Sequence, residues 1–101
     1  MARLDVYLIP GSGQVGYVID VQADLLSHLA TRTVVPLLSA DTAPKPIREL
    51  NPVFEILGER YVMVTQAIAS IPGRELKDAV TSLVNQHDRI TRALDILLLG
   101  F

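Results

Sequence analysis

Leu4, Val6 and Leu8 alternate with Arg3, Asp5 and Tyr7, the two-residue period of a half-buried β-strand. Pro10, Gly11, Ser12 and Gly13 follow as a flexible turn, and residues 15–22 read as the returning strand of a hairpin. Residues 24–30 are short and mixed, a loop or a single helical turn. Arg32, Thr33, Val34 and Val35 are strongly β-forming, and Pro36 ends that strand or marks an edge. Residues 39–46 carry Pro44 and Pro46 among small polar residues and read as a surface loop. A second hairpin is predicted from residues 52–57 and 60–65 around Gly58 and Glu59. Residues 67–71 form a short extended run that Pro72 and Gly73 close.

The period then changes. Leu76, Val80, Leu83, His87, Ile90, Leu94, Leu97 and Phe101 recur in steps of four and three, one face of an α-helix. A helix is predicted over residues 82–101, with a weaker helical signal over 75–81. Asn85, Gln86, Asp88, Arg89, Thr91, Arg92 and Asp95 make its solvated face. In the last turn that face disappears, because Ile96, Leu97, Leu98 and Leu99 are apolar on every side before Gly100 stops the helix. Such a tip is either buried or presented to a partner. Leu97 and Leu98 suit the core or a homodimer contact. A terminal carboxylate beside Phe101 resists burial, so Leu99, Gly100 and Phe101 suit presentation. Five or so short strands and one terminal helix predict a mainly β chain, a compact antiparallel barrel with a helix packed on it.

Composition sharpens this picture mainly by exclusion. The 101 residues suit one domain, 1–101, and half of them are apolar, which excludes disorder. The net charge of −2 and the lack of any basic run argue against direct binding to nucleic acid. Zero cysteines exclude disulfides and thiol chemistry. The first residues lack the apolar core of a signal peptide, and no run approaches membrane-spanning length. The expectation is a soluble cytoplasmic protein that does not engage membranes.

Catalytic groupings are not visible. His87 lies on the apolar stripe, where a histidine is usually a packed core residue. His28 follows Ser27, but neighbours in sequence do not make a catalytic pair. Two separated histidines and scattered carboxylates have no metal-ligand spacing. Asp20 and Asp24 read as strand-end solvation and turn capping. Gly11-Ser12-Gly13 lacks the lysine of a phosphate-binding loop, and Arg48 with Glu49 reads as a surface ion pair. No cofactor, metal site or catalytic residue is expected. The residues by themselves describe an interaction protein.

Four stretches, taken in order, resemble the CcdB family of toxins. Val18-Ile19-Asp20-Val21-Gln22-Ala23-Asp24-Leu25-Leu26 is similar to a strand ending in a D-V-Q-x-D signature, and Arg32-Thr33-Val34-Val35-Pro36-Leu37 to an R-x-V-I-P-L segment. Arg48-Glu49-Leu50-Asn51-Pro52-Val53 and Met63-Val64-Thr65-Gln66-Ala67-Ile68-Ala69-Ser70-Ile71-Pro72 match two more. The resemblance implies an SH3-like antiparallel barrel of the CcdB/MazF type with a long C-terminal helix, assembled as a homodimer. It implies the toxin of a plasmid or chromosomal toxin–antitoxin pair. Such a toxin binds the GyrA subunit of DNA gyrase and traps the enzyme on cleaved DNA, without chemistry of its own. A CcdA-like antitoxin neutralises it through a disordered C-terminal segment, and operator DNA is bound only through the toxin–antitoxin complex.

Carried over residue by residue, the gyrase-facing positions are Leu25, Leu26, Asp95, Leu99, Gly100 and Phe101. The antitoxin-facing positions are Leu8, Ile9, Pro10, Gly11, Ser12, Gly13 and Gln14. Three positions depart from the family pattern: Leu99 stands where tryptophan is common, Asp95 replaces an asparagine, and Phe101 replaces a branched aliphatic. The first hairpin loop is also nearly uncharged, which implies recognition more by shape and apolar contact and a different cognate antitoxin, with poor cross-neutralisation. Two alternatives accompany this reading. One is a MazF-like endoribonuclease using Arg32, His28 and Asp24; the other is a CcdB-fold relative that no longer poisons gyrase.

Overall fold

The computed structural model describes residues 2–9 and 16–101. Its spine is the long strand β3 (Thr31–Ser39), flanked by β1 (Asp5–Leu8) and β2 (Gly16–Asp20) on one side. The hairpin β4 (Val53–Ile56) and β5 (Glu59–Met63), then β6 (Ala69–Pro72), lie on the other. A two-residue strand β7 (Thr81–Ser82) precedes α1 (His87–Leu99), the one α-helix among the described residues. Every pairing is antiparallel, in the order β4-β5-β3-β2-β1-β7, with β6 also on β3. The protein is thus mainly β, a nearly closed antiparallel barrel with a C-terminal helix, as the sequence predicts.

The core follows from the two-residue period of the strands. Val6, Ile19, Val35 and Leu37 point into the barrel beside Phe54, Ile56, Tyr61 and Met63, and Ile90 and Ala93 of α1 close it. The intervening residues Tyr7, Val18 and Val34 face outward, where Leu76 covers them in a second, smaller cluster. Strands β1 to β3 are therefore buried on both faces. This corrects the first strand, in which Tyr7 is buried and Leu8 is exposed.

Pro36 does not end its strand. Val21 N–H donates to Thr33 C=O, so the hydrogen-bonded pairs with β2 fall on odd residues of β3, and Pro36 sits between them opposite Val18. On its other side β3 changes partner there, from β6 through Val34 to β5 from Leu37. The missing donor falls at the changeover, and the Pro36 carbonyl still accepts from Val64 N–H at 2.9 Å.

The second hairpin turns one residue earlier than predicted. Leu57 and Gly58 both take positive φ, +52° and +87°, the type I′ geometry that matches strand twist. The helix is also shorter than predicted. Residues 73–75 form a 3₁₀ turn, Thr81 and Ser82 pair with Val6 and Asp5 of β1, and a 3₁₀ turn at Val84–Gln86 leads into α1. Leu76 and Leu83 are buried as expected, but in the outer and inner clusters respectively. Spacings of three and four over residues 76–86 bury apolar residues without a helix.

His87, the first residue of α1, is exposed and 3.4 Å from Asp88; it is not a core residue. No helix among the described residues is long and apolar enough to cross a membrane.

Candidate functional site

Two apolar displays stand out on this frame, and they are built differently. The first is the 3₁₀ turn at Asp24–Leu26 between β2 and β3, where Leu25 is 86% exposed and Leu26 is 41% exposed. Exposed leucines gain nothing from water, so the polar residues beneath must hold the turn. Asp20, at the end of β2, is fully buried. Its Oδ2 accepts two hydrogen bonds from Arg32, which is 2% exposed, the one from Nε at 2.9 Å. Its Oδ1 accepts from Gln22 N–H at 3.0 Å. Burial pushes the Asp20 carboxyl above the usual carboxylate range, against the opposing pull of Arg32.

Gln22 continues the chain of contacts. Its Oε1 accepts from Thr33 N–H and its Nε2 donates to the Leu26 carbonyl, each at 3.0 Å. Asp24 Oδ1 accepts from Arg3 N–H at 2.8 Å, and Arg3 Nε donates to Val21 C=O at 3.2 Å. The D-V-Q-x-D stretch is therefore a scaffold. Asp20 is not a solvated strand end, because the whole carboxylate is spent on Arg32 and Gln22; Asp24 does not cap its own turn as expected, but accepts from Arg3 N–H in the chain before β1.

The second display is the tip of α1. Leu98 and Leu99 are exposed, and Phe101 is 76% exposed. Leu97, Ile96 and Asp95 are half-buried, so core burial of Leu98 is not met within one chain. Gly100 takes φ +82°, and its N–H donates to Asp95 and Ile96 carbonyls at 3.2 and 3.0 Å. This left-handed cap turns the chain out of the helix and carries Phe101 outward. Among the described residues no hydrogen bond or ion pair joins this tip to the Leu25–Leu26 turn; α1 packs on the barrel core through Ile90 and Ala93 and lies against the turn at Thr65–Ala67.

Of the antitoxin-facing positions, Leu8 is exposed and Ile9 half-buried. Pro10, Gly11, Ser12, Gly13 and Gln14 lie outside the described residues. Ile9 borders an apolar groove of about 240 Å³ over Val18, Val34, Pro36, Ala69 and Ile71, with Glu75 at its rim. Glu49, whose φ is +65°, pairs with Arg92 of α1 at 3.3 Å rather than with Arg48. Among the described residues no group of three or more His, Asp or Glu could hold a metal ion.

Sequence reading missed Gln22 and Arg32 as the supports of the turn. Its one available signal was a charge, Asp20, set inside the apolar run Val18-Ile19-Asp20-Val21, with Arg32 opening the next such run. A carboxylate placed among core residues needs a buried cation.

The comparisons with known proteins agree with the fold. The family model described as CcdB protein matches residues 3–100. A solved endoribonuclease in complex with its cognate antitoxin, from a mycobacterial species, is 17% identical with a TM-score of 0.75, covering 97% of this chain and 94% of that one. The Mycobacterium tuberculosis toxin MazF-mt6 is 15% identical with a TM-score of 0.73, covering 92% of this chain and 94% of that one. At such identities these likenesses speak for the fold alone.

Proposed function

The chain belongs to the CcdB family, and from that premise we propose that it is the toxin of a toxin–antitoxin pair that binds the GyrA subunit of DNA gyrase. The observation that carries the reading is the pair of exposed apolar displays, Leu25 with Leu26 and Leu99 with Phe101, at the positions the family turns toward gyrase. Buried aromatic and aliphatic anchors supply most of the free energy of a protein interface, and these side chains are unburied in the single chain. The protein acts by binding, trapping gyrase on cleaved DNA with no reaction of its own. A homodimer brings two copies of each display into one assembly and offers Leu98 a cover. The antitoxin segment engages Leu8, Ile9 and the loop through Gln14, with the groove beside Ile9 able to take an apolar side chain.

The ribonuclease alternative draws on Arg32, His28 and Asp24. Arg32 is buried and consumed by Asp20, so it is not free to meet a phosphate, which favours the gyrase reading. The test is a gyrase–DNA cleavage assay with ATP, comparing the intact chain with one lacking Leu99, Gly100 and Phe101. Linear DNA should accumulate with the intact chain alone. Cleavage of RNA by the intact chain, with no linear DNA from gyrase, would sink the proposal. Folded dimers that give neither product would identify a relative that no longer poisons gyrase.

A further inference from the structure

Leu25 is 86% exposed, so the backbone of its turn, and not packing around it, sets where its side chain lies. Three hydrogen bonds of that turn are its own: Leu26 N–H to Ala23 C=O, Ser27 N–H to Asp24 C=O and Leu29 N–H to Leu26 C=O, at 2.9 to 3.0 Å. They shape the turn but do not fix its orientation on the barrel. Asp24 ties its first residue to Arg3, which belongs to the chain before β1. The tie to the central strand is Gln22.

Thr33 N–H lies where an antiparallel ladder would pair it with Val21 C=O. Val21 C=O instead accepts from Arg3, and Thr33 N–H donates to Gln22 Oε1. The other end of the same carboxamide donates to Leu26 C=O. Gln22 is 8% exposed, and its own N–H is held by Asp20, itself held by Arg32. A line of polar contacts thus runs from Arg32 through Asp20 and Gln22 to the carbonyl of Leu26. Glutamine donates and accepts through one side chain whatever the pH, whereas glutamate does so only when protonated. Glutamate keeps the acceptor toward Thr33 and, when ionised, loses the donor toward Leu26.

We infer that Gln22 is a positioning residue for the Leu25–Leu26 contact: its buried carboxamide, bridging Thr33 N–H of β3 to the Leu26 carbonyl, fixes where the two leucines meet GyrA. The inference rests on the gyrase reading of those leucines.

The test measures binding of the isolated GyrA subunit to the full chain at about pH 8 and about pH 5.5, the range over which a part-buried glutamate protonates. Gln22→Glu should bind about tenfold more weakly than the native chain at the higher pH, the effect of one lost buried hydrogen bond. At the lower pH the ratio to native should shrink, because a protonated carboxyl can donate to Leu26. Gln22→Met, without polar atoms, should be weaker at both. An equal loss for Gln22→Glu at both pH values marks general destabilisation and overturns the inference. Native-like binding by both Gln22 variants, with binding lost in Leu25→Asp, overturns it too but leaves the gyrase reading intact. Native-like binding by Leu25→Asp removes the gyrase reading itself. Should the Gln22 variants fail to fold, the native chain decides by NMR. The Gln22 carboxamide protons must exchange slowly and show contacts to Leu26; exchange as fast as a surface glutamine overturns the inference.

Discussion

The Leu25–Leu26 turn and the Leu99–Phe101 tip present similar side chains and are held by opposite means. Beneath the turn lie a buried ion pair, a buried carboxamide and a carboxylate that takes the Arg3 amide. Beneath the tip lies helix geometry: Ile90 and Ala93 in the core, and one glycine in the left-handed conformation. Hydrogen-bonded supports are directional and fail abruptly when one member is removed, whereas apolar packing fails by degrees. The difference teaches that the same kind of apolar contact can be presented on a polar lattice or on a packed helix. The two should respond to different mutations.

Removing the cation under the turn should do most. Arg32→Leu leaves Asp20 buried without its partner, and chemical denaturation should show a loss of about 3–5 kcal/mol. A midpoint close to native would mean that the pair does not anchor the turn. Ile90→Ala probes the other region, opening a cavity where α1 meets the barrel, with an expected cost of about 2–5 kcal/mol. Hydrogen exchange should then rise along α1 more than at Ser27 and Leu29, and a uniform rise would erase the distinction between the regions. Gly100→Ala is milder, about 1–2 kcal/mol of local strain at φ +82°. It should weaken GyrA binding with little change in the global denaturation midpoint, since the tip contributes little to the core.

The smallest effect is that of pH on the lattice. Burial raises the folded Asp20 carboxyl above its ordinary value of 3.8, so between those values the native state holds more protons than the unfolded one. Stability from this group is complete below the ordinary value and is lost as pH rises through the raised one. Denaturation of the native chain and of Asp20→Asn across that window should diverge in this direction. Parallel curves would show that Asp20 titrates alike folded and unfolded.

Much of the fold was legible in the chain because burial on one side of a strand or helix leaves a period in the sequence. Val6, the β-forming run from Arg32, the hairpin around Gly58 and the all-apolar turn before Gly100 each predict what the structure contains, whereas Leu4, read as part of the first strand, is buried in a turn at φ +72° just before it. The candidate turn was legible only as a resemblance, since Leu25 and Leu26 carry no period of their own. What tertiary structure decided was how polar and ambiguous residues found partners. Residues 76–86 bury Leu76 and Leu83 at helical spacing, yet Thr81 and Ser82 pair with β1, because a strand edge there needed donors and acceptors. Pro36 continues its strand because its missing N–H falls where β3 changes neighbours. Asp20, Gln22 and Arg32 form one lattice although Arg32 lies twelve residues from Asp20. Local periodicity records which side of a segment avoids water. Which donor meets which acceptor depends on chain segments far apart in sequence, and folding alone brings them together.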